Sequence, residues 1–515
     1  VNEGLRSALE RLPELLAAHV VLAGAALLLA LAASLPLGIV AARRPALARV
    51  VLGLASLVQT IPALALLALF YPVLLMLSAL VGGGIPALGF LPSLLALALY
   101  ALLPILRNGV TGLVGIDPAV IEAADAVGMT SAQKLRLVEA PLAAPVVMAG
   151  IRTAAVWTIG AATLSTTVGQ PSLGDLIFAG LQTQNWVLVL VGCVAAAVLA
   201  LVVDGLLGLV ERAVRDRRRG TGFAALGLLL AGVMAAAWPA FAPAPSRPVV
   251  TIGAKNFSEQ YILARLIGRR LEAAGYAVRY REGLGSAVIF RALAAGDIDV
   301  YVDYAGTLWT NEMRRADTSP RAAMIGEITR WAASDRGVSV LGPLGFENAY
   351  AFAVRGADAR RLELRTLDDL VRVAPAMTLG SDLEFLERPE WAMVRRAYPL
   401  NFAATRAYSP TFMYRALESG QVGAISAFSS DGRIAALGLT VLTDPKAAIP
   451  GYDALLLAGS RFSQDARFQA ALRPLIGAIP VERMREANYR VDRSDSGQQS
   501  AAEAALWLDG ALAHR

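Results

Sequence analysis

Through residue 241 the chain alternates long apolar runs with short polar joints, and beyond residue 247 that rhythm stops. Apolar runs fall at about 15–42, 47–70, 88–106, 142–168, 186–210 and 223–241. Each is close to or above the roughly 20 residues needed to cross a hydrocarbon layer about 30 Å thick. Pro62, Pro72, Pro86 and Pro104 kink or interrupt some of these runs, which membrane helices tolerate when neighbours satisfy the freed backbone. The first run is too long for a cleaved leader, and further spans follow it.

Basic residues mark alternate joints: Arg43, Arg44 and Arg49; then Arg107, Lys134 and Arg136; then Arg212, Arg215, Arg217, Arg218 and Arg219. The joints at 71–87 and 169–185 hold no Lys or Arg. Basic loops stay in the cytoplasm, so the N-terminus and everything after the last span face outward, and the joint at 117–141 faces the cytoplasm. That joint, Asp117 to Pro141, reads as two short helices. Asp117 is an N-cap with Pro118 at the first helical position, and Gly128 ends the first helix. Thr130 with Gln133 forms a capping box for the second helix, and Pro141 is expected to close it.

After Ala242-Pro243-Ala244-Pro245-Ser246-Arg247-Pro248 the periodicity changes. This proline-rich tether, at about 3.1 Å per residue, reaches roughly 20 Å. A strand at 249–254, a helix ending at Gly275, a strand, a helix and a strand at 297–307 follow, and the pattern recurs from Glu347 to Gly459. Alternating strands and helices predict an open α/β sheet with ligand groups at the carboxyl ends of strands. Two lobes are expected, one at about 249–350 with 456–515 and the other at about 351–455, joined near Tyr350–Val354 and Tyr452–Leu457. The final helical stretch, 465–513, is expected to pack on the first lobe.

Composition narrows the chemistry. Of 515 residues 56% are hydrophobic, more than a soluble protein needs, and the excess lies before residue 241. One cysteine, Cys193, excludes a disulfide framework, and two histidines, His19 and His514, leave no metal or histidine-based catalytic constellation. No GxxxxGK[ST] loop is present to cradle ATP. The net charge of +6 gathers largely at span ends, so topology explains it and nucleic acid is not an expected partner. Small residues in the spans suit close helix packing and a dimer seam. The spans are expected to hold no buried charged cluster, unlike a proton-coupled carrier.

The joint Glu122-Ala123-Ala124, Gly128 and the run to Glu139-Ala140-Pro141 resembles the EAA loop of ABC-importer permeases. The resemblance implies that Glu122, Ala123, Ala124 and Gly128 dock a separate cytoplasmic ATPase. The outer joint Gly169–Trp186 is similar to that family's gate loop, or is a plain re-entrant connection. In the second half, GAKNFSEQYIL, YVDYAGT, LGFENAYAFAV, GSDLEFLERPEW, MYRALESGQVGAISAFSSDGRI and DPKAAIPGYDALLL together resemble the binding proteins for glycine betaine, choline and related quaternary amines. Fusion of the two halves also resembles fused osmoprotectant importers and a group that takes up ergothioneine, a trimethylated betaine.

The resemblance therefore implies an all-α polytopic membrane domain at 1–241, of type I importer permease architecture with about six spans. It is fused through the tether at 242–248 to an α/β, two-lobed, periplasmic-binding-protein-like domain at 249–515. The expected product is a multi-pass inner-membrane importer subunit and homodimer, with its binding domain outside, and not an enzyme. It needs no cofactor of its own, because ATP is bound by the partner ATPase. A trimethylammonium has no hydrogen to donate and is held by π faces. The resemblance carries this cage onto Tyr304, Tyr350, Phe428 and Tyr452, with Lys255, Thr307 and Arg388 meeting a ligand carboxylate. Phe428 stands where betaine binders have tyrosine, and Glu390-Trp391 where many relatives have Asp-Gly. Trp391 is a possible extra wall, and Arg388 could instead pair with Glu387 or Glu390. A membrane-anchored ligand sensor is the alternative of another class, though the polytopic half has no task in it.

Overall fold

The computed structural model describes residues 3–82, 84–182, 185–216, 218–238, 247–315, 317, 319–493 and 497–513. Residues 242–246 of the tether and His514 lie outside the described residues. The chain divides into two compact units. One comprises Ala8–Phe178 and Leu188–Ala244; the other comprises Pro245–Arg515 with the short segments Val1–Ser7 and Ala179–Val187.

Among the described residues, six helices are long and apolar enough to cross a membrane: Ala8–Ala42, Ala63–Leu80, Phe90–Val114, Ser131–Val168, Trp186–Arg215 and Gly220–Ala237. The expected second span, 47–70, is not one helix. A helix Pro45–Thr60 stops and another, Ala63–Leu80, begins. Pro62 pushes Ile61 into extended backbone (ψ 125°), and the Tyr100 hydroxyl caps the freed Ile61 carbonyl. Pro72 and Pro104, by contrast, stay inside their helices.

Helices Phe90–Val114 and Ala140–Ala162 pack tightly because small residues face one another. A Cβ on Gly150 would lie 2.6 Å from the Pro104 carbonyl oxygen, and Gly112 rests against Ala143. Against the expectation of no buried charged cluster, the spans carry one charged cluster that is partly buried. Arg152 on Ala140–Ala162 forms a double hydrogen bond with Asp204 (3.0 and 2.9 Å) and reaches Glu211 at 2.7 Å, both on Trp186–Arg215. Charges 52 and 59 residues away in the chain satisfy one another, which is how a membrane interior accommodates them. His19 ties three segments: its Nε2 donates to the Ile159 carbonyl (3.0 Å) and its Nδ1 accepts from the Leu173 N–H (3.3 Å).

The joint after Asp117 forms the helix Pro118–Ala126, with the Asp117 carboxylate accepting from the Ala119 N–H at 2.9 Å. Gly128 turns the chain at φ +77°, a left-handed conformation suited to glycine. Thr130 and Gln133 make the expected reciprocal capping box. Pro141 does not close the second helix. Ser131–Lys134 continues through a π turn, Leu135–Glu139, into Ala140–Ala162. The wider turn shifts the ladder where proline has no N–H to give, so the span starts without a break.

The second unit contains two five-stranded sheets. Strands β1 (Val249–Lys255), β2 (Ala277–Leu284), β3 (Val300–Tyr304) and β4 (Ser339–Glu347) belong to the first, together with the late strand β10 (Asp453–Ala458), in the order β2-β1-β3-β10-β4. Strands β5 (Tyr350–Arg355), β6 (Thr378–Asp382), β7 (Ala404–Tyr408), β8 (Ala424–Phe428) and β9 (Leu439–Leu442) form the second, in the order β7-β6-β8-β5-β9. Tyr350 thus opens the second sheet, and the return to the first precedes Asp453; the expected boundaries at 350 and 455 shift by a few residues. The C-terminal helices pack on Ser258–Ala273 of the first lobe, held by Arg270 to Asp509 (2.5 Å) and by the Tyr276 hydroxyl donating to Asp465 (2.6 Å).

Candidate functional site

Parallel strands deliver side chains to the cleft at their carboxyl ends. Lys255 ends β1, Tyr304 ends β3 and Asp382 ends β6. Phe428 ends β8 and lies directly opposite Tyr350 at the start of antiparallel β5. That pairing sets the two rings side by side, 5.0 Å between centroids and tilted 40°. Tyr452, just before β10, meets Tyr350 edge-on at 6.0 Å. Its ring lies over Gly306, where a Cβ would come within 2.3 Å of the aromatic carbons; only glycine leaves that seat open. The four expected rings line one cavity of about 310 Å³ together with Lys255, Thr307 and Arg388.

The cations do not wait for a ligand. Lys255, 2% exposed, is 2.5 Å from Asp303, whose other oxygen accepts from the Tyr301 hydroxyl at 2.5 Å. The same ammonium lies 5.3 Å from the Tyr304 ring centroid. Arg388 gives two hydrogen bonds to Glu390 Oε1 (3.1 and 2.9 Å) and is a buried ion pair. Thr310 and Tyr452 of the first lobe donate to the same oxygen, so Glu390 bridges the lobes. Burial pushes the Glu390 carboxyl up, but the Arg388 charge and the hydrogen bonds from Arg388 and Tyr452 hold it below its ordinary value. Arg388 Nη2 also reaches the Tyr452 hydroxyl (3.3 Å) and, at a longer 3.4 Å, Thr307. Burial and then the neighbouring carboxylates raise Tyr304 and Tyr452 well above the ordinary tyrosine value, so both remain neutral phenols.

Trp391 is not a wall of this cavity. It follows Glu390 on the helix Pro389–Ala397, and one helical residue turns about 100°. With Glu390 toward the cleft, Trp391 points into the second lobe, against Phe385 (5.7 Å), Phe352 (6.2 Å) and Phe402 (6.5 Å). Two further rings, Phe257 and Tyr408, do line the cavity. Phe257 stacks on Tyr304 at 6.1 Å; its place in GAKNFSEQYIL was the available signal. Tyr408, the last residue of β7, offered only its position at a strand end.

The buried carboxylate Glu259 was also missed. It accepts from the Tyr304 hydroxyl (2.6 Å), Asn348 Nδ2 (3.1 Å) and Asn488 Nδ2 (2.9 Å). Burial raises its pKa against the opposing effect of these hydrogen bonds. In the membrane unit, Glu122 and Ala123 are exposed on the capped joint while Ala124 is buried. Val127, next to the glycine turn, and Leu137, in the π turn, are 73% and 62% exposed.

A two-lobed α/β module with an aromatic cleft, carried by a polytopic helical unit with a capped surface joint, defines a membrane importer fused to its own substrate receptor. Residues 248–509 match the substrate binding domain of the ABC-type glycine betaine transport system, and residues 34–216 match the binding-protein-dependent transport system inner membrane component. The chain belongs to these families: it is the fused permease and substrate-binding component of an ABC importer. It is 29% identical over 455 residues to an ergothioneine transport permease/ergothioneine binding protein of Helicobacter pylori (strain G27), covering 85% of this chain and 79% of that one. A choline transport system permease of Bacillus subtilis (strain 168) is 40% identical over 194 residues, 38% of this chain and 84% of that one. The solved structure of a glycine betaine/carnitine/choline ABC transporter matches 52% of this chain and 99% of its own, at 25% identity and a TM-score of 0.46. The chain is a multi-pass inner-membrane protein with its C-terminal binding domain on the extracytoplasmic side.

Proposed function

We propose that this chain captures a quaternary-ammonium compound and admits it to the cell as a homodimer powered by a separate cytoplasmic ATPase. The observation that carries the reading is the convergence of Tyr304, Tyr350, Phe428 and Tyr452 on one cavity whose nearest cations already hold carboxylates. Paired cations repel a methylated ammonium little, while neutral rings attract it at about 0.5–2 kcal/mol each. Thr307 and Arg388 remain within reach of a ligand carboxylate, and Lys255 acts at one remove, through Asp303 and the Tyr304 face. ATP is handled by the partner; Glu122, Ala123, Ala124 and Gly128 offer the docking surface.

Glycine betaine or another small betaine is the first candidate, with choline and carnitine behind it. Ergothioneine is the second reading, favoured by the relative whose likeness spans both halves of this chain. Calorimetric titration of the full chain in nanodiscs with these four compounds tests the ligand, and ATP-dependent uptake with and without the ATPase tests the coupling. Uptake that persists without any ATPase would overturn ABC coupling. Replacing Glu122 by Ala or Gly128 by Val is expected to spare binding and to impair uptake.

A further inference from the structure

Two rings of the cage each give their hydroxyl proton to a buried carboxylate, and the two carboxylates differ. Tyr452 donates to Glu390, whose charge is met by Arg388 at 2.9 Å. Tyr304 donates to Glu259 at 2.6 Å, and Glu259 also accepts from the amides of Asn348 (3.1 Å) and Asn488 (2.9 Å). Asp303 and Asp431 have Lys255 and Arg433, and Asp382 caps a helix by accepting from the Phe385 N–H. Glu259, 2% exposed, meets a neutral group in each of its three hydrogen bonds.

The backbone sets the direction of the Tyr304 bond. Gln260 Oε1 accepts from the Lys255 N–H (3.3 Å), so its Nε2 turns to the Val302 carbonyl and to the Tyr304 oxygen, each at 3.0 Å. With its oxygen receiving Gln260, the phenol sends its own proton to Glu259. Three donors around one carboxyl leave it only the acceptor's part, which is that of the ionised form. Hydrogen bonds in a chain polarise one another, so the carboxylate draws on the phenol proton and makes the ring face more negative. The Lys255 ammonium, 5.3 Å from the same ring, is cancelled by Asp303 at 2.5 Å. Behind Tyr304 there remains a negative charge held by neutral donors, and burial makes such a charge costly until a cation approaches.

Resting on the quaternary-ammonium reading above, we propose that Glu259 sets the charge preference of the cleft. Acting through the Tyr304 phenol, its carboxylate is the counter-charge that separates a quaternary ammonium from an uncharged group of the same shape. Shape and apolar contact hold a tert-butyl group as well as a trimethylammonium; only the ring face and the charge behind it tell them apart. At an effective dielectric of about 20, opposite unit charges within roughly 10 Å attract enough to change affinity by about tenfold.

The test is the ratio of dissociation constants for an uncharged isostere and its quaternary amine, measured by calorimetry, directly or by displacement, on the full chain in nanodiscs. Glycine betaine, choline, carnitine and ergothioneine are each paired with the analogue that has carbon in place of the quaternary nitrogen; for choline this is 3,3-dimethylbutan-1-ol. The wild-type chain is expected to favour the cation by well over about tenfold, and Glu259→Gln, which keeps an acceptor for Tyr304, to cut that ratio by about tenfold. A merely structural loss weakens both members of a pair alike. A wild-type ratio near one, or a ratio unchanged in Glu259→Gln, therefore overturns the proposal and leaves binding of the amine itself standing. Failure of the wild-type chain to bind any of the four amines overturns the quaternary-ammonium reading and the proposal with it. Should Glu259→Gln fail to fold, Tyr304→Phe is read by the same ratio, because it keeps the ring and removes the hydroxyl that joins it to the charge. A fall of about threefold or more supports the proposal, and an unchanged ratio overturns it.

Discussion

In the membrane half one cation, Arg152, faces two carboxylates, Asp204 and Glu211, on another helix. In the cleft each cation has a carboxylate close at hand: Lys255 with Asp303, Arg388 with Glu390, Arg433 with Asp431. The first arrangement ties two long helices whose outer faces are apolar. The second cancels charge locally, so that ring faces are left for a ligand. Buried ion pairs seldom stabilise much by themselves, but breaking one leaves an uncompensated charge at a cost of about 3–5 kcal/mol. The same chemistry is a tie between helices in one half and a way of clearing the field for π recognition in the other.

Glu390→Ala gives the largest expected effect. Arg388 would be stranded in the cleft, and the thermal unfolding temperature of the binding half should fall by several degrees, with about 3–5 kcal/mol lost. If Arg388 instead waits for a ligand carboxylate, this substitution would sharpen betaine binding and leave the unfolding temperature alone. Next comes Arg152→Leu, which leaves Asp204 and Glu211 facing each other without their cation. Uptake should drop by about tenfold or more, while ligand affinity of the same preparation stays within about twofold. Equal loss of both would erase the division of labour between the halves. Tyr304→Ala and Tyr452→Ala should each weaken binding of a quaternary amine by about tenfold or more, and unchanged affinity in both would place the cation elsewhere.

The smallest effect concerns Asp492. Burial raises its carboxyl from 3.8 to about 6, with Arg433 working against the rise and Asp431 adding to it. Between those two values the folded chain keeps a proton that the unfolded chain has released. Stability from this group is therefore full below about pH 4 and is lost as the pH climbs through about 6. The expected gain on moving from pH 7 to pH 5 is on the order of 1 kcal/mol, read as a higher unfolding temperature of the binding half. Asp492→Asn should flatten that dependence; a slope that survives the substitution assigns it to other groups.

Much of this molecule can be read along the chain. Strand and helix alternation from 249 to 307 is visible because each element has its own period, and YVDYAGT places Tyr304 near the end of a strand, although the expected strand to Thr307 stops at Tyr304 and Gly306 meets the Tyr452 ring only in the fold. The cap at Asp117, the turn at Gly128 and the Thr130–Gln133 box are local chemistry, complete within a few residues. Pro141 misled because its effect depends on the hydrogen-bond ladder it joins; a π turn ahead of it removes the need for its missing N–H. Trp391 misled because one residue of helical rotation, measured from Glu390, decides between cleft and core.

Local signals, then, were enough to determine the two halves and most of the runs long enough to cross the membrane, while the family resemblance supplied the aromatic positions. Only the folded chain decided which charges meet. Arg152 finds Asp204 and Glu211 across helices, Lys255 finds Asp303 forty-eight residues on, and Glu259 gathers Asn348 and Asn488 from distances of 89 and 229 residues. The reason is physical: periodicity and capping act over one or two turns of chain, whereas the partner of a buried charge is chosen by packing.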